Sequence, residues 1–166
     1  MGRLRQWRQD DCQRLAQLAN NPNVSINLRD VFPYSYTLDD AKAWIARCEA
    51  NHGGPTQFAI ELEGQLVGGI GFEAQPGVYR ICADIGYWVA EPYWGRGIAT
   101  VAVIEASRRA FRDFAFERLQ ARVFAWNPAS MRALEKAGYQ LEGRMRRSVI
   151  KDGQIIDSVI YARLRN

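Results

Sequence analysis

The sequence predicts one mixed α/β (α+β) domain spanning residues 1–166, and three observations carry that prediction. Residues 58–62 and 66–72 alternate apolar with polar or small side chains on either side of Glu63-Gly64, the period-two signature of a hairpin. Elsewhere apolar residues recur at helical spacings, as in Ala41, Trp44, Ile45 and Cys48. An alternating stretch ending at Val89, an apolar helix over 98–115 and a second alternating stretch from Leu119 form a strand–helix–strand crossover. Such a unit joins parallel neighbours through a right-handed connection and lays a helix against a sheet.

In chain order, residues 4–7 form a short strand, and Asp10 caps a helix that carries Leu15, Leu18 and Ala19 on one side and stops at Asn21-Pro22. Residues 24–36 are aromatic and irregular, and Phe32-Pro33-Tyr34-Ser35-Tyr36 reads as a loop too apolar to be a free linker, so it packs over another surface. Thr37 caps a second helix running to about Glu49. After the hairpin, Pro76-Gly77 turns the chain into a third strand over 79–89, with Ala83, Ile85, Tyr87 and Val89 on one face and Cys82, Asp84, Gly86 and Trp88 on the other. The helix over 98–115 is apolar nearly all round as far as Ala106, as burial against a sheet requires, while Arg108, Arg109 and Arg112 suit its negative end. Leu119, Ala121, Val123 and Ala125 alternate as a strand. Asn127-Pro128 opens the last helix as cap and first-turn proline, and Gly138 closes it. Strands over 140–150 and 155–162 flank Asp152-Gly153, a strong hairpin signal.

With 48% hydrophobic residues, the 166-residue chain is long enough to bury a substantial core. Its 22 basic and 18 acidic residues leave a charge of +4 spread over both ends, which suits an anionic ligand without requiring nucleic acid. Cys12, Cys48 and Cys82 are odd in number and lack Cys-x-x-Cys spacing, so neither a disulfide framework nor a zinc site is expected. The single histidine, His52, sits in a turn-like Asn51-His52-Gly53-Gly54-Pro55 string and reads as an exposed polar residue rather than a metal ligand. No stretch approaches the apolar length of a membrane span, and residues 1–8 lack the core of a signal peptide, so a reducing, cytoplasmic setting is expected.

The chemistry-bearing segment is Trp94-Gly95-Arg96-Gly97-Ile98-Ala99-Thr100, where the third strand passes through a Gly-rich turn into the long helix. Two glycines flanking Arg96 allow a tight turn at little steric cost, and the helix start offers unpaired N–H groups and a positive dipole end. These are the parts of a phosphate cradle. A bare tight connection uses the same Gly-x-Gly pattern, and the turn alone leaves both readings open.

Residues 85–100, joined to Asn127-Pro128-Ala129-Ser130-Met131-Arg132-Ala133-Leu134-Glu135-Lys136-Ala137-Gly138-Tyr139, resemble the two hallmark motifs of the GNAT superfamily of N-acetyltransferases, nearest its ribosomal-protein-alanine and ribosomal-protein-serine N-acetyltransferase branch. The resemblance follows the whole element order and is most specific over 84–139. It implies a GNAT-like fold, with a central mixed, mostly antiparallel twisted sheet of about seven strands, a parallel splayed pair and about four helices. It also implies acetyl-coenzyme A as cosubstrate, without a metal. The pyrophosphate would rest on backbone amides of Gly95, Arg96, Gly97, Ile98, Ala99 and Thr100, and the pantetheine arm would pair with the strand edge at Trp88 and Val89. The Val89 N–H would donate to the thioester oxygen as charge develops there. Trp94 departs from the family pattern, which commonly has Gln or Arg at that place, so no side-chain contact is carried over to it. Arg96 reads either as a phosphate-seeking cation or as a solvated arginine. Asn127 matches the asparagine that contacts the pantetheine arm, and a cap through its oxygen leaves its amide available.

Leu134 stands where many members carry a tyrosine general acid, so that tyrosine is absent. Ser130 instead matches the branch in which a hydroxyl faces the coenzyme sulfur, beside its plainer reading as support for the first helical turn. Asp84 stands where that branch has glutamate. An α-amino group (pKa about 8) or a lysine (about 10) must shed a proton before attack, and a carboxylate relaying that proton through water makes Asp84 the candidate base; an exposed strand aspartate or an ion pair is its plainer reading. The expected reaction is direct acetyl transfer to a primary amine, on a protein N-terminus or a small molecule, without a covalent enzyme intermediate. In this family residues 27–36, the helix to Glu49 and the closing hairpin wall the acceptor side. Asp30, Glu73, Asp84 and Asp157 suit a cationic amine, and Arg144, Arg146 and Arg147 suit an acidic partner or the coenzyme's third phosphate, beside their commoner reading as a solvated strand edge. The alternatives are a non-catalytic acyl-coenzyme A sensor and, ranked last, a basic nucleic-acid-binding module; a homodimer is compatible with either enzyme reading.

Overall fold

The computed structural model describes residues 2–51 and 54–165, so the expectation for His52 lies outside the described residues. Seven strands form one sheet in the order β1-β2-β3-β4-β5-β7-β6. They are β1 Arg3–Arg5, β2 Gln57–Leu62, β3 Gln65–Ala74, β4 Cys82–Val89, β5 Arg118–Phe124, β6 Gln140–Lys151 and β7 Gln154–Leu164. The α-helices are α1 Cys12–Ala19, α2 Pro22–Ser25, α3 Leu38–Glu49, α4 Ile98–Asp113 and α5 Pro128–Lys136. Pairings β1/β2, β2/β3, β5/β7 and β6/β7 are antiparallel, while β4 and β5, joined through α4, are parallel as the crossover predicts. The parallel register covers Cys82↔Arg118, Ala83↔Leu119 and Asp84↔Gln120, at the start of both strands.

The chain divides into two compact units whose boundaries fall inside β3, inside β4 and after the first residue of α4. The first comprises Met1–Gly71 and Tyr87–Ile98. Its core gathers Trp7, Leu15, Tyr36, Ala41, Ile45 and Leu66, with Phe32, Trp44 and Trp88 packed against it. The apolar loop therefore packs as expected: Phe32 meets the Trp88 ring edge-on at 5.6 Å. Gly68 and Gly69 are required here by close approach. A Cβ on Gly68 would lie 2.2 Å from the Trp88 carbonyl oxygen, and one on Gly69 would lie 2.9 Å from both the Trp7 and Trp88 rings. The three-residue β1 is fastened by charge, because Arg3 and Arg5 donate to the buried Glu61 carboxylate at 2.6 and 2.5 Å and Arg5 also grips Asp11 through two bonds.

The second unit comprises Phe72–Gly86 and Ala99–Asn166. Phe72, Phe114 and Phe116 cluster, and Ala102, Val103, Ala106 and Ala110 give α4 its buried face. Ser107 on that face is fully buried and satisfied by the Val103 carbonyl and the Tyr139 hydroxyl. Arg165 donates to the Phe111, Phe114 and Phe116 carbonyls at 2.7 Å each, closing the carboxyl end of α4.

Two expectations about elements are corrected, and one short helix is added. Asp10 is not the cap: Arg8 stands at the start of a 3-10 turn, Gln9–Asp11, that leads into α1, and the Asp11 carboxylate accepts the Arg8 N–H at 2.9 Å. The first helix stops before Asn21-Pro22 as expected, at Ala19, and Pro22 then begins a further one-turn helix, α2, capped by Asn21. Residues 77–79 form a 3-10 turn opened by Gly77 at φ +62°, so the third strand begins at Cys82 and not at 79.

Candidate functional site

Where β4 ends, the Ala90 N–H donates to the Val67 carbonyl at 2.8 Å, and Glu91–Tyr93 forms a single 3-10 turn. Gly95 and Gly97 then adopt φ of +75° and +73°, and α4 starts at Ile98. A Cβ at either glycine would meet nothing within 4 Å. Glycine is present for its backbone conformation, and the space over the turn is open. The first turn of α4 carries no acidic side chain to compete with a bound anion. The Arg96 guanidinium lies 5.5 Å from the centre of the Tyr93 ring.

The residues before the turn are tightly held. The Glu91 carboxylate accepts from Asn21 Nδ2 at 2.7 Å and Asn23 Nδ2 at 2.9 Å, and these donors hold its pKa below the usual glutamate value. Arg14 donates to the Tyr93 hydroxyl at 3.0 Å, and the Trp94 indole Nε1 donates to the Val89 carbonyl at 2.6 Å. None of these anchors was legible from the motif. The Asn21-Pro22-Asn23 string was their nearest signal, because an Asn-Pro cap brings both asparagines to one helix start.

Trp88, Val89, Gly95, Arg96, Gly97 and Ile98 belong to the first unit, whereas Asp84, Ala99, Thr100, Asn127 and Ser130 belong to the second. In the second unit, Asn127 Oδ1 accepts the Ser130 N–H at 3.2 Å as the α5 cap. Among the described residues, Asn127 Nδ2 has no protein partner. Asp84, half-buried on β4, accepts from Gln75 Nε2 on one oxygen and from Gln120 Nε2 on the other at 2.8 Å. Gln120 is held in turn by Arg118, which pairs with Glu142. The expected base therefore sits in a cross-strand polar chain that the sequence did not reveal. Asp157, expected as a candidate for attracting the amine, is engaged by Arg144 at 2.7 Å and the Arg147 N–H at 2.8 Å, and these bonds lower its pKa.

A family model described as an acetyltransferase (GNAT) domain matches residues 3–140. The chain belongs to the GNAT family. The uncharacterized N-acetyltransferase YoaA of Bacillus subtilis is 34% identical over 98 residues, covering 59% of this chain and 55% of that protein. The chain thus spans about half the length of this GNAT relative. The L-amino acid N-acetyltransferase AaaT of Escherichia coli is 24% identical over 156 residues, 93% of each chain. In fold, this GNAT chain is similar to RimL, a ribosomal L7/L12 alpha-N-protein acetyltransferase solved in complex with coenzyme A. That structure gives a TM-score of 0.86 at 23% identity, covering 98% of this chain and 93% of that one. The predicted class, a mixed seven-stranded sheet with a parallel pair, is the GNAT fold that the structure displays. Among the described residues no three His, Cys, Asp or Glu side chains are grouped to hold a metal, and no helix is long and apolar enough to cross a membrane.

Proposed function

We propose that this protein, as one GNAT-like domain, transfers an acetyl group from acetyl-coenzyme A to a primary amine by direct attack. The observation that carries the reading is the open, positive-φ Gly95/Gly97 turn leading into α4, in a chain whose GNAT match runs over residues 3–140. Acetyl-coenzyme A supplies an acetyl group already activated as a thioester. Backbone amides of residues 95–100 hold its diphosphate through N–H donors and the helix's positive end, and Arg96 adds a cation steadied by the Tyr93 ring. Trp88 and Val89 guide the pantetheine arm. Because N–H groups alternate sides along a strand and that of Ala90 faces β3, the Val89 N–H faces away from β3 and serves the thioester oxygen.

Asn127 Nδ2 donates to the pantetheine arm, and the Ser130 hydroxyl assists the departing thiolate. Asp84 receives the amine proton through water; each of its oxygens keeps a further lone pair beside the glutamine bond it already accepts. The acceptor is a protein N-terminus or a small-molecule amine. RimL, a ribosomal L7/L12 alpha-N-protein acetyltransferase, and AaaT, an L-amino acid N-acetyltransferase, represent one of each kind. The test is coenzyme A thiol release from acetyl-coenzyme A across small amines, amino acids and N-terminal peptides. Amine-dependent release is expected. Tight binding with no release for any amine would favour an acyl-coenzyme A sensor, and salt-sensitive nucleic-acid binding indifferent to coenzyme A would remove both.

A further inference from the structure

We propose that Trp94 is a positioning residue for the transfer step, acting through Val89; this rests on the acetyl-transfer reading above. The peptide linking Val89 to Ala90 is pinned from both sides. Its N–H donates to the Val67 carbonyl at 2.8 Å, and its carbonyl accepts the Trp94 indole N–H at 2.6 Å. A peptide plane held at both polar ends cannot rotate without breaking a hydrogen bond, so ψ of Val89 is fixed. The orientation of Val89, whose own N–H faces the reacting oxygen in this reading, follows from it.

Burial is not what keeps the ring in place, because Trp94 remains 46% exposed. Its backbone is held instead. The Trp94 N–H donates to the Glu91 carbonyl at 3.1 Å, and Glu91 is fixed by Asn21 and Asn23 while neighbouring Tyr93 is fixed by Arg14. The indole therefore projects from a rigid turn and reaches back to the strand end that the same turn continues. In a chain whose cofactor turn begins with tryptophan, the side chain organises the strand and leaves contact with the diphosphate to the backbone amides and Arg96. An oxyanion donor is worth most when its direction is set before reaction, so loosening Val89 affects the transition state more than the bound ground state.

The test replaces Trp94 by Phe, which keeps an aromatic ring and loses the donor. In parallel, benzothienylalanine at position 94 keeps the bicyclic shape but exchanges N–H for sulfur, and 5-fluorotryptophan restores an N–H. We expect kcat at saturating acetyl-coenzyme A to fall about tenfold in the first two and to recover with fluorotryptophan. The dissociation constant for coenzyme A, which has no thioester oxygen, should stay within about twofold in all three. Unchanged kcat without the indole N–H would overturn the proposal. So would a fall matched by an equal loss of coenzyme A affinity, or by a lowered Tm that fluorotryptophan fails to correct. Absence of amine-dependent thiol release in the unaltered protein would instead sink the transfer reading itself, and this proposal with it.

Discussion

At the scale of single residues, Gly97 combines a positive φ with open space. At φ +73° any other L-residue is strained by about 1 kcal/mol, yet a Cβ there touches nothing. Gly97→Ala should therefore fold with a slightly lowered Tm, while Gly97→Glu places a carboxylate at the helix start and should abolish coenzyme A binding. Calorimetric titration beside a melting curve separates the two effects. Asp84 presents a different case, since the sequence showed a lone strand aspartate and the structure shows one bonded to Gln75 and Gln120. If it relays the amine proton, Asp84→Asn should cost about a hundredfold in kcat, most strongly at lower pH, where more of the amine starts protonated. A rate unchanged across the pH range would leave Asp84 as cross-strand fastening alone. The partners were illegible because Gln120 lies on β5 and Gln75 just past the end of β3, and only the folded sheet brings them to β4.

At the scale of elements, the same dipeptide was read in two ways. Asn127-Pro128 marks a helix start, and α5 begins there; Asn21-Pro22 marks the stop of α1, which ends at Ala19, and Asn21 also caps α2 by accepting the Asn23 N–H at 2.8 Å. The difference lay in what followed, a long periodic segment in one case and an aromatic loop in the other. Periodicity shows long helices and cannot show a single turn. The double duty of Asn127 can be separated by chemistry. Asn127→Asp keeps the capping oxygen and loses the amide donor, so Tm should hold while coenzyme A affinity drops. Asn127→Ala loses both and should lower stability by about 1 kcal/mol as well. Equal affinity for Asn127→Asp and the unaltered protein would restrict Asn127 to capping.

At the scale of the whole molecule, part of the sheet was legible: the β2/β3 and β6/β7 hairpins from their turn signals and the parallel β4/β5 pair from the crossover helix. The fastening of β1 was not, since it depends on Arg3 and Arg5 meeting a glutamate some sixty residues away in β2. Bonds from Arg5 and then Arg3 hold the Glu61 pKa below its ordinary 4.5. A carboxylate depressed in the folded state contributes stability that is complete above its unfolded pKa and lost as pH falls through the folded one. Tm should therefore decline as the pH drops below about 4.5, and Glu61→Gln should lower Tm at neutral pH while flattening that acid limb. A limb of the same slope in the variant would mean that other carboxylates carry it. Coenzyme A binding by the turn at residues 95–100 is what the transfer chemistry needs first, and the most direct measurement is calorimetric titration of coenzyme A into the unaltered protein and into folded Gly97→Glu. Saturable heat in the first and none in the second is the predicted result; no heat in the first, or equal affinity in both, would contradict it.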